Sequence, residues 1–238
     1  MDSFESETQK RGEIFNETDL LKAIDRILPL SEHYEEIVNI HLDALQECEC
    51  VADLACGTGI LTLRYLEQGK KVTGVDISKR SLEILRKKVI NSEEGKNLEL
   101  LEADITHLEC IPDNTFDGVS VMIASHLISD FERHIEECSR ILIRGGRLVI
   151  TARKADQDQK KIVEIVKRSL LKTGRFQDYE DDFSLVKDKL LMTANSRSFS
   201  LYRTDEVIGL LRGSGFGKIR EIENKTEGVM YTLVAEKN

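Results

Sequence analysis

The chain has 238 residues, of which 40% are hydrophobic and 32% are charged, a balance typical of one large globular domain. Its apolar runs are too short to cross a bilayer, and its polar first residues lack the apolar core of a signal peptide. We therefore expect a cytoplasmic protein without a membrane partner. The net charge of −9 and the 5% aromatic content make nucleic acid an unfavourable partner, because repulsion is long-ranged and stacking platforms are few.

The five cysteines form no recognisable framework. Their number is odd and no two stand as a CxxC pair, so the sequence predicts neither a zinc site nor a set of disulfides. Small buried side chains are the simpler interpretation, and we expect no metal.

Two short helical patterns come first in the chain. Apolar residues recur at helical spacing from Leu20 to Leu28 and stop at Pro29. Ser31 is a suitable cap for a second helix, whose apolar positions continue to Leu45. We expect residues 1–49 to form helices that cover the functional site.

From residue 50 to residue 151, short apolar strands alternate with helical patterns, which predicts a parallel sheet covered on both faces. This segment is the expected ligand-binding core. The predicted strands are Val51–Ala55, Lys71–Asp76, Leu98–Leu101, Gly118–Ile123 and Arg147–Thr151, and the predicted helices are Leu61–Glu67, Ser81–Asn91 and Phe131–Leu142.

The C-terminal segment, residues 203–238, completes this pattern. A helix over Thr204–Ser214 is followed by strand patterns at Lys218–Glu223 and Val229–Glu236, and the link between the two strands suits a hairpin. The sequence therefore predicts a doubly wound, Rossmann-like α/β fold, whose mostly parallel seven-stranded sheet has an antiparallel last strand.

Residues 152–202 are too many for a plain connection, and we interpret them as an inserted lid that selects the substrate. The stretch from Arg153 to Arg175 holds eight basic and three acidic residues. It is either the solvated face of an amphipathic helix or a patch that attracts an anionic substrate or RNA. The aromatic residues Phe176, Tyr179 and Phe183 fit core packing better than the walls of an acceptor pocket.

A glycine-containing turn follows the first predicted strand of the core. Gly57 and Gly59 allow the backbone to turn sharply and to approach a ligand at a helix N-terminus. Asp76 ends the next strand, where it can accept hydrogen bonds from a ribose diol. No structural need for a carboxylate at that position is evident from the sequence. The turn and Asp76 together predict a nucleoside site.

Charge decides between the possible nucleoside cofactors. Thr62 stands where the dinucleotide fingerprint has its third glycine, and Asp53 would repel a pyrophosphate. S-adenosylmethionine has no phosphate and carries a sulfonium and an ammonium group, so a nearby carboxylate favours it. The sequence therefore favours S-adenosylmethionine over NAD.

Taken together, these features resemble the class I S-adenosylmethionine-dependent methyltransferases. The resemblance extends in order over about residues 50–237, outside the insertion. The motifs that carry it are Val51–Gly59, Val72–Ser78, Glu102–Ile105, Phe116–Val119, Arg140–Leu148 and Gly213–Phe216.

The resemblance implies a role for each motif residue that faces the cofactor. The glycine loop would lie against the methionine part, with Asp53 near its amino group. Asp76 would bind the ribose, Asp104 the adenine amino group, and Ile105 would pack on the base. Tyr34 would cover the cofactor from the N-terminal helices. The predicted cofactor-binding residues are Tyr34, Asp53, Ala55, Cys56, Gly57, Gly59, Asp76, Ile77, Asp104, Ile105 and Ser125.

The acceptor site is expected where the fourth strand ends, near Ser125 and His126. A sulfonium is already activated, so a base is needed only for a nucleophile that starts protonated. His126 suits that role with its ordinary pKa near 6.5, but it could also line the pocket or cap a helix without moving a proton.

Three functions remain open. A compact acidic domain without an added RNA-binding module favours methyl transfer to an oxygen, nitrogen or carbon atom of a small molecule. RNA or protein methylation through the basic stretch is the alternative within the same class. The third is a partner subunit that binds the cofactor without catalysis, since a fold does not guarantee activity.

Overall fold

The computed structural model describes residues 18–155, 158, 160–195, 201–224 and 226–238. The strands are β1 Cys50–Leu54, β2 Lys71–Asp76, β3 Leu98–Glu102, β4 Phe116–Met122, β5 Leu142–Arg153, β6 Phe216–Ile222 and β7 Met230–Lys237. The α-helices are α1 Thr18–Ile27, α2 Glu32–Ala44, α3 Ile60–Glu67, α4 Lys79–Val89, α5 Phe131–Ile141, α6 Lys161–Lys172, α7 Glu180–Asn195 and α8 Thr204–Gly213.

The seven strands form one sheet in the order β3-β2-β1-β4-β5-β7-β6. Strands β1 to β5 pair in parallel, and β7 is antiparallel to both of its neighbours. The predicted fold is therefore confirmed. The chain moves outward from β1 to β3 and then returns to β4, which places a topological switch point, the usual site of ligand binding, between β1 and β4.

Alternating side chains of β1 join two separate cores on the two faces of the sheet. Val51 packs with Val38 of α2, whereas Ala52 and Leu54 pack in the core that contains Phe131 of α5. This alternation is what a strand covered by helices on both sides requires.

Strand β5 is longer than the predicted Arg147–Thr151 at both ends. It begins at Leu142, and its pairing with β4 shifts register where Gly145 adopts a φ of +75°. The glycines interrupt the apolar alternation, and this explains why the pattern failed to reveal the start. At its other end β5 includes Arg153, so the first residues of the predicted insertion belong to the sheet.

Two helices of the predicted insertion, α6 and α7, pack on α1 to give a unit that we call the helical cap (residues 18–27 and 161–195). An isolated bridge between Lys154 and Tyr202 closes its base, and Arg26 forms an ion pair with Asp182 across it. Its buried core consists of Leu20, Ala23, Ile27, Val166, Leu170, Phe183 and Val186.

The aromatic residues of the insertion belong to this core. The rings of Phe176 and Phe183 lie 5.5 Å apart in an edge-on contact, and Phe176 and Tyr179 pack against the same cluster. They therefore pack the inside of the cap, as preferred from the sequence. No helix among the described residues has both the length and the apolar character needed to span a membrane.

A buried polar network joins α2 to the sheet. The two ring nitrogens of His41 lie 2.8 Å from the Ser120 hydroxyl and 2.9 Å from the Thr151 hydroxyl, which in turn contacts Thr232 at 2.8 Å. His41 is fully buried, and burial lowers its pKa to about 3. The imidazole is therefore neutral at neutral pH and bonds hydroxyls that would otherwise be left without partners.

We predict that His41→Ala lowers the free energy of unfolding by about 2–4 kcal/mol at neutral pH. In the unfolded chain His41 takes up a proton near pH 6.5, whereas in the folded protein it stays neutral until the pH falls to about 3. The contribution of His41 to the free energy of unfolding is therefore complete above pH 6.5 and is lost as the pH falls below it. The difference between wild type and variant should shrink by about 1.4 kcal/mol between roughly pH 7.5 and pH 5.5.

Urea unfolding at both pH values measures this difference. Exposed His107 provides the control, since its replacement by alanine should change stability by less than about 0.5 kcal/mol. A difference for His41→Ala that does not change with pH would contradict the buried neutral imidazole.

Candidate active site

A cavity of about 280 Å³ lies beyond the carboxyl ends of the strands and beneath the helical cap. It combines predicted residues from the N-terminal helices, the glycine loop and the ends of β2 to β4, while Gly59 and Ser125 do not line it. The predicted residues in its wall are Tyr34, Asp53, Ala55, Cys56, Gly57, Asp76, Ile77, Asp104, Ile105 and His126.

Asp76 holds the glycine loop in place. Its two carboxylate oxygens accept hydrogen bonds from the backbone N–H groups of Gly57 and Ser78, each at 2.8 Å. The expectation from the sequence that this carboxylate has no structural role is therefore wrong. Each oxygen has a further lone pair that can face the cavity, so Asp76 can bind a ribose while it fixes the loop.

The two glycines of the loop have different roles. Gly57 has a φ of +56° and lines the cavity, so it permits the left-handed turn beneath the ligand. Gly59 has a φ of +86°, and a Cβ there would lie 2.3 Å from a methyl group of Leu85. Gly59 therefore allows α3 to begin close against α4 rather than contacting a ligand.

Asp53 is a buried carboxyl group in the wall of the cavity. Burial is the main reason that its pKa rises to about 7, although the Thr62 hydroxyl donates to it at 2.5 Å and works against this rise. Thr62, whose identity argued against a dinucleotide, thus supports the carboxyl group instead. Asp53 can become fully ionised when a cation enters, since an opposite charge favours the charged form.

Asp104 and its neighbours form the adenine end of the predicted site. The backbone N–H and the hydroxyl of Thr106 both donate to the same oxygen of Asp104, at 2.9 and 2.8 Å. This fixes the carboxylate at the edge of the cavity, where it can accept from an amino group. Ile105 and Ile77 add apolar surface to the same wall.

His126 and Arg153 lie on the other side of the cavity, at the ends of β4 and β5. Burial and the nearby charge of Arg153 lower the pKa of His126 well below its ordinary value. The value near 6.5 expected from the sequence is therefore wrong for the folded protein. Burial also lowers the pKa of Arg153, to about 10, so the guanidinium stays charged at neutral pH beside a neutral imidazole.

Sequence reasoning missed an ionic contact between the cap and the glycine loop. Asp25 of α1 accepts a hydrogen bond from the Thr58 hydroxyl and pairs with Lys88 at 2.7 Å. Lys88 also donates to the Thr58 carbonyl at 2.8 Å. The three residues are far apart in sequence and carry no common pattern, so no local signal could have connected them.

Arg153 was also missed as a residue of the site. In the sequence it appeared only as the first member of a basic stretch. The available signal was that Arg153, a charged residue, follows a long apolar run. The glycines near the start of β5 interrupt that run and concealed its length.

Comparison with known proteins agrees with this geometry. A family model described as a methyltransferase domain matches residues 52–150. A demethylmenaquinone methyltransferase from Thermus thermophilus is 37% identical over 102 residues, which cover 42% of this chain and 45% of that relative. The chain thus spans less than half the length of this relative.

Two solved structures share the fold at low sequence identity. A Thermotoga maritima S-adenosylmethionine-dependent methyltransferase, described as a possible histamine N-methyltransferase, has a TM-score of 0.64 at 19% identity, covering 96% of this chain and 100% of its own. A Burkholderia thailandensis 1,6-didemethyltoxoflavin-N1-methyltransferase with bound S-adenosylhomocysteine has a TM-score of 0.54 at 17% identity, covering 85% of this chain and 76% of its own. Residues 52–150 are therefore a methyltransferase domain, and the chain has the class I, S-adenosylmethionine-dependent methyltransferase fold.

Proposed function

We propose that this chain transfers a methyl group from S-adenosylmethionine to an oxygen, nitrogen or carbon atom of a small molecule. The observation that carries the proposal is the cavity that Asp53, Asp76 and Asp104 line together. Their carboxyl groups suit an ammonium or sulfonium group, a ribose diol and an adenine amino group. The name of the Thermus relative, a demethylmenaquinone methyltransferase, supports a small-molecule acceptor rather than a macromolecule.

When bound, S-adenosylmethionine supplies an electrophilic methyl group. The chain then has to hold donor and acceptor in line and to exclude water, because positioning supplies most of the acceleration for an activated electrophile. Asp76 and the glycine loop fix the donor side, while the end of β4 and the cap enclose the acceptor side.

The ion pairs of the insertion support a small acceptor rather than RNA. Arg168 pairs with Glu227, Lys172 with Glu32 and Arg175 with Asp178. Three of the eight basic residues in this stretch are thus paired with acidic side chains, and a fourth, Arg153, lines the cavity. The amphipathic-helix interpretation of this stretch accounts for the remaining residues.

We expect S-adenosylmethionine and S-adenosylhomocysteine to bind in preference to NAD, because buried carboxyl groups oppose a pyrophosphate. Calorimetric titration of the full chain with the three ligands tests this. Asp76→Asn should weaken S-adenosylhomocysteine binding by about 1–3 kcal/mol, the range for lost charge-assisted hydrogen bonds.

Asp117→Asn is the matched control for this variant. Asp117 also accepts two backbone hydrogen bonds, from Glu49 and Cys50 at 2.8 and 2.9 Å, but it lies at the opposite end of the sheet. Its replacement should leave the dissociation constant within twofold. Tight NAD binding without a response to the sulfonium cofactor would overturn the proposed function.

We also propose that α6 and α7, the helices within the predicted lid of residues 152–202, act together with α1 as a lid that selects the acceptor. Asp25→Asn should loosen the contact of the lid with the glycine loop and weaken S-adenosylhomocysteine binding by roughly three- to tenfold, as expected for a partly buried ion pair. Hydrogen exchange should become faster in α1. Asp19→Asn on the same helix is the control, because Asp19 is 87% exposed; equal effects of the two variants would refute the lid contact.

His126 is proposed to hold the acceptor and to receive its proton where one is lost. The lowered pKa of His126 keeps the imidazole neutral near neutral pH, but it also makes this imidazole a weaker base than an ordinary histidine. His126→Gln should lower kcat about 10²-fold, the lower range for proton-transfer groups, and leave cofactor affinity within twofold. Release of S-adenosylhomocysteine with a mixed acceptor pool measures this, and an unchanged rate would exclude the role.

A further inference from the structure

The cavity has two sides of opposite charge. The carboxyl groups of Asp53, Asp76 and Asp104 belong to β1, β2 and the turn after β3. Arg153 belongs to β5, which is separated from β1 by β4. With strands about 4.8 Å apart, the cationic side is about 10 Å from the strand that carries Asp53.

Arg153 is placed where a ligand can reach it although solvent hardly can. Its exposed fraction is 4%, yet it lines the cavity together with His126 and with Lys189 of α7. A buried guanidinium keeps its charge and gains most from a ligand oxygen in a fixed, planar arrangement. Lys189 brings a second cation to the same side from the cap.

The sulfonium of the donor does not explain this cationic side, because a guanidinium repels the positive sulfur while the three aspartates attract it. The donor also has one carboxylate, but it is next to the ammonium group, which the proposed function places at Asp53 and the glycine loop, two strands away from β5. A second ligand that approaches from the end of β5 is in contrast favoured by negative charge. The charge division therefore specifies the acceptor rather than the cofactor.

We propose that Arg153, assisted by Lys189, binds a carboxylate group of the methyl acceptor. The planar fork of an arginine side chain matches the two oxygens of a carboxylate. This inference rests on the proposed function, since it identifies the chemical class of the acceptor, and it makes Arg153 a residue that determines specificity rather than one that takes part in the transfer.

The test uses the full chain saturated with S-adenosylhomocysteine. Hydroxybenzoates, indole carboxylates and short hydroxy acids are titrated by calorimetry, each beside its primary amide, which has a similar shape without the charge. We expect at least one acid to bind ten times more tightly than its amide. In Arg153→Met this preference should fall to within twofold, while the S-adenosylhomocysteine dissociation constant stays within twofold of wild type.

Lys154→Met is the matched control, because Lys154 is the next residue and pairs with Glu221 outside the cavity; it should keep the acid preference. Arg153→Lys, which retains the charge without the fork, should keep an intermediate preference and provides a second variant if Arg153→Met does not fold.

Three results would overturn the proposal. In the first, the wild type binds no acid more tightly than the matching amide. In the second, Arg153→Met keeps the full preference for the acid, and in the third, that variant loses tenfold in S-adenosylhomocysteine affinity. The last result would assign Arg153 to the carboxylate of the cofactor instead. A wild-type chain that does not bind S-adenosylhomocysteine would refute the proposed function itself, so the two failures are distinguishable.

Discussion

The site depends first on the two hydrogen bonds that Asp76 accepts from Gly57 and Ser78. They join the loop after β1 to the loop after β2, and so they fix the glycine turn against the neighbouring strand. The strands themselves are held by the sheet, but the loops at their ends are not. A half-buried carboxylate that accepts from both backbones gives these loops one defined arrangement, and the wall of the cavity is built around it.

The second constraint is the apolar contact between parts of the chain that are far apart in sequence. Of the seven buried residues of the cap core, three belong to α1, two to α6 and two to α7. Because this core is shared, the N-terminal helix and the insertion form one unit above the sheet. The contacts of Asp25 with Thr58 and Lys88 then connect this unit to the glycine loop. The cap, which encloses the proposed acceptor side, is thus physically coupled to the glycine loop on the proposed donor side.

The sheet could be predicted from the sequence because its signals are local. Apolar runs of five or six residues separated by helical patterns define a parallel sheet. Asp76 ends such a run, Asp104 follows one, and Asp53 lies within the first. The features that could not be predicted depend on distant residues. The burial of His126 beside Arg153 and the closeness of Gly59 to Leu85 arise only when separate elements pack.

The two sides of the cavity also differ in the free energy that their charged groups cost when no ligand is bound. Asp53 has a raised pKa of about 7, so without a ligand much of it can remain protonated and avoid an isolated buried charge. The pKa of Arg153, about 10, keeps its guanidinium cationic at neutral pH. On the proposed function, a cationic donor would shift Asp53 to its charged form, while an anionic acceptor would meet a charge that is already present. The proposed donor side would thus adjust to its ligand through a proton, whereas the proposed acceptor side is charged before its ligand binds.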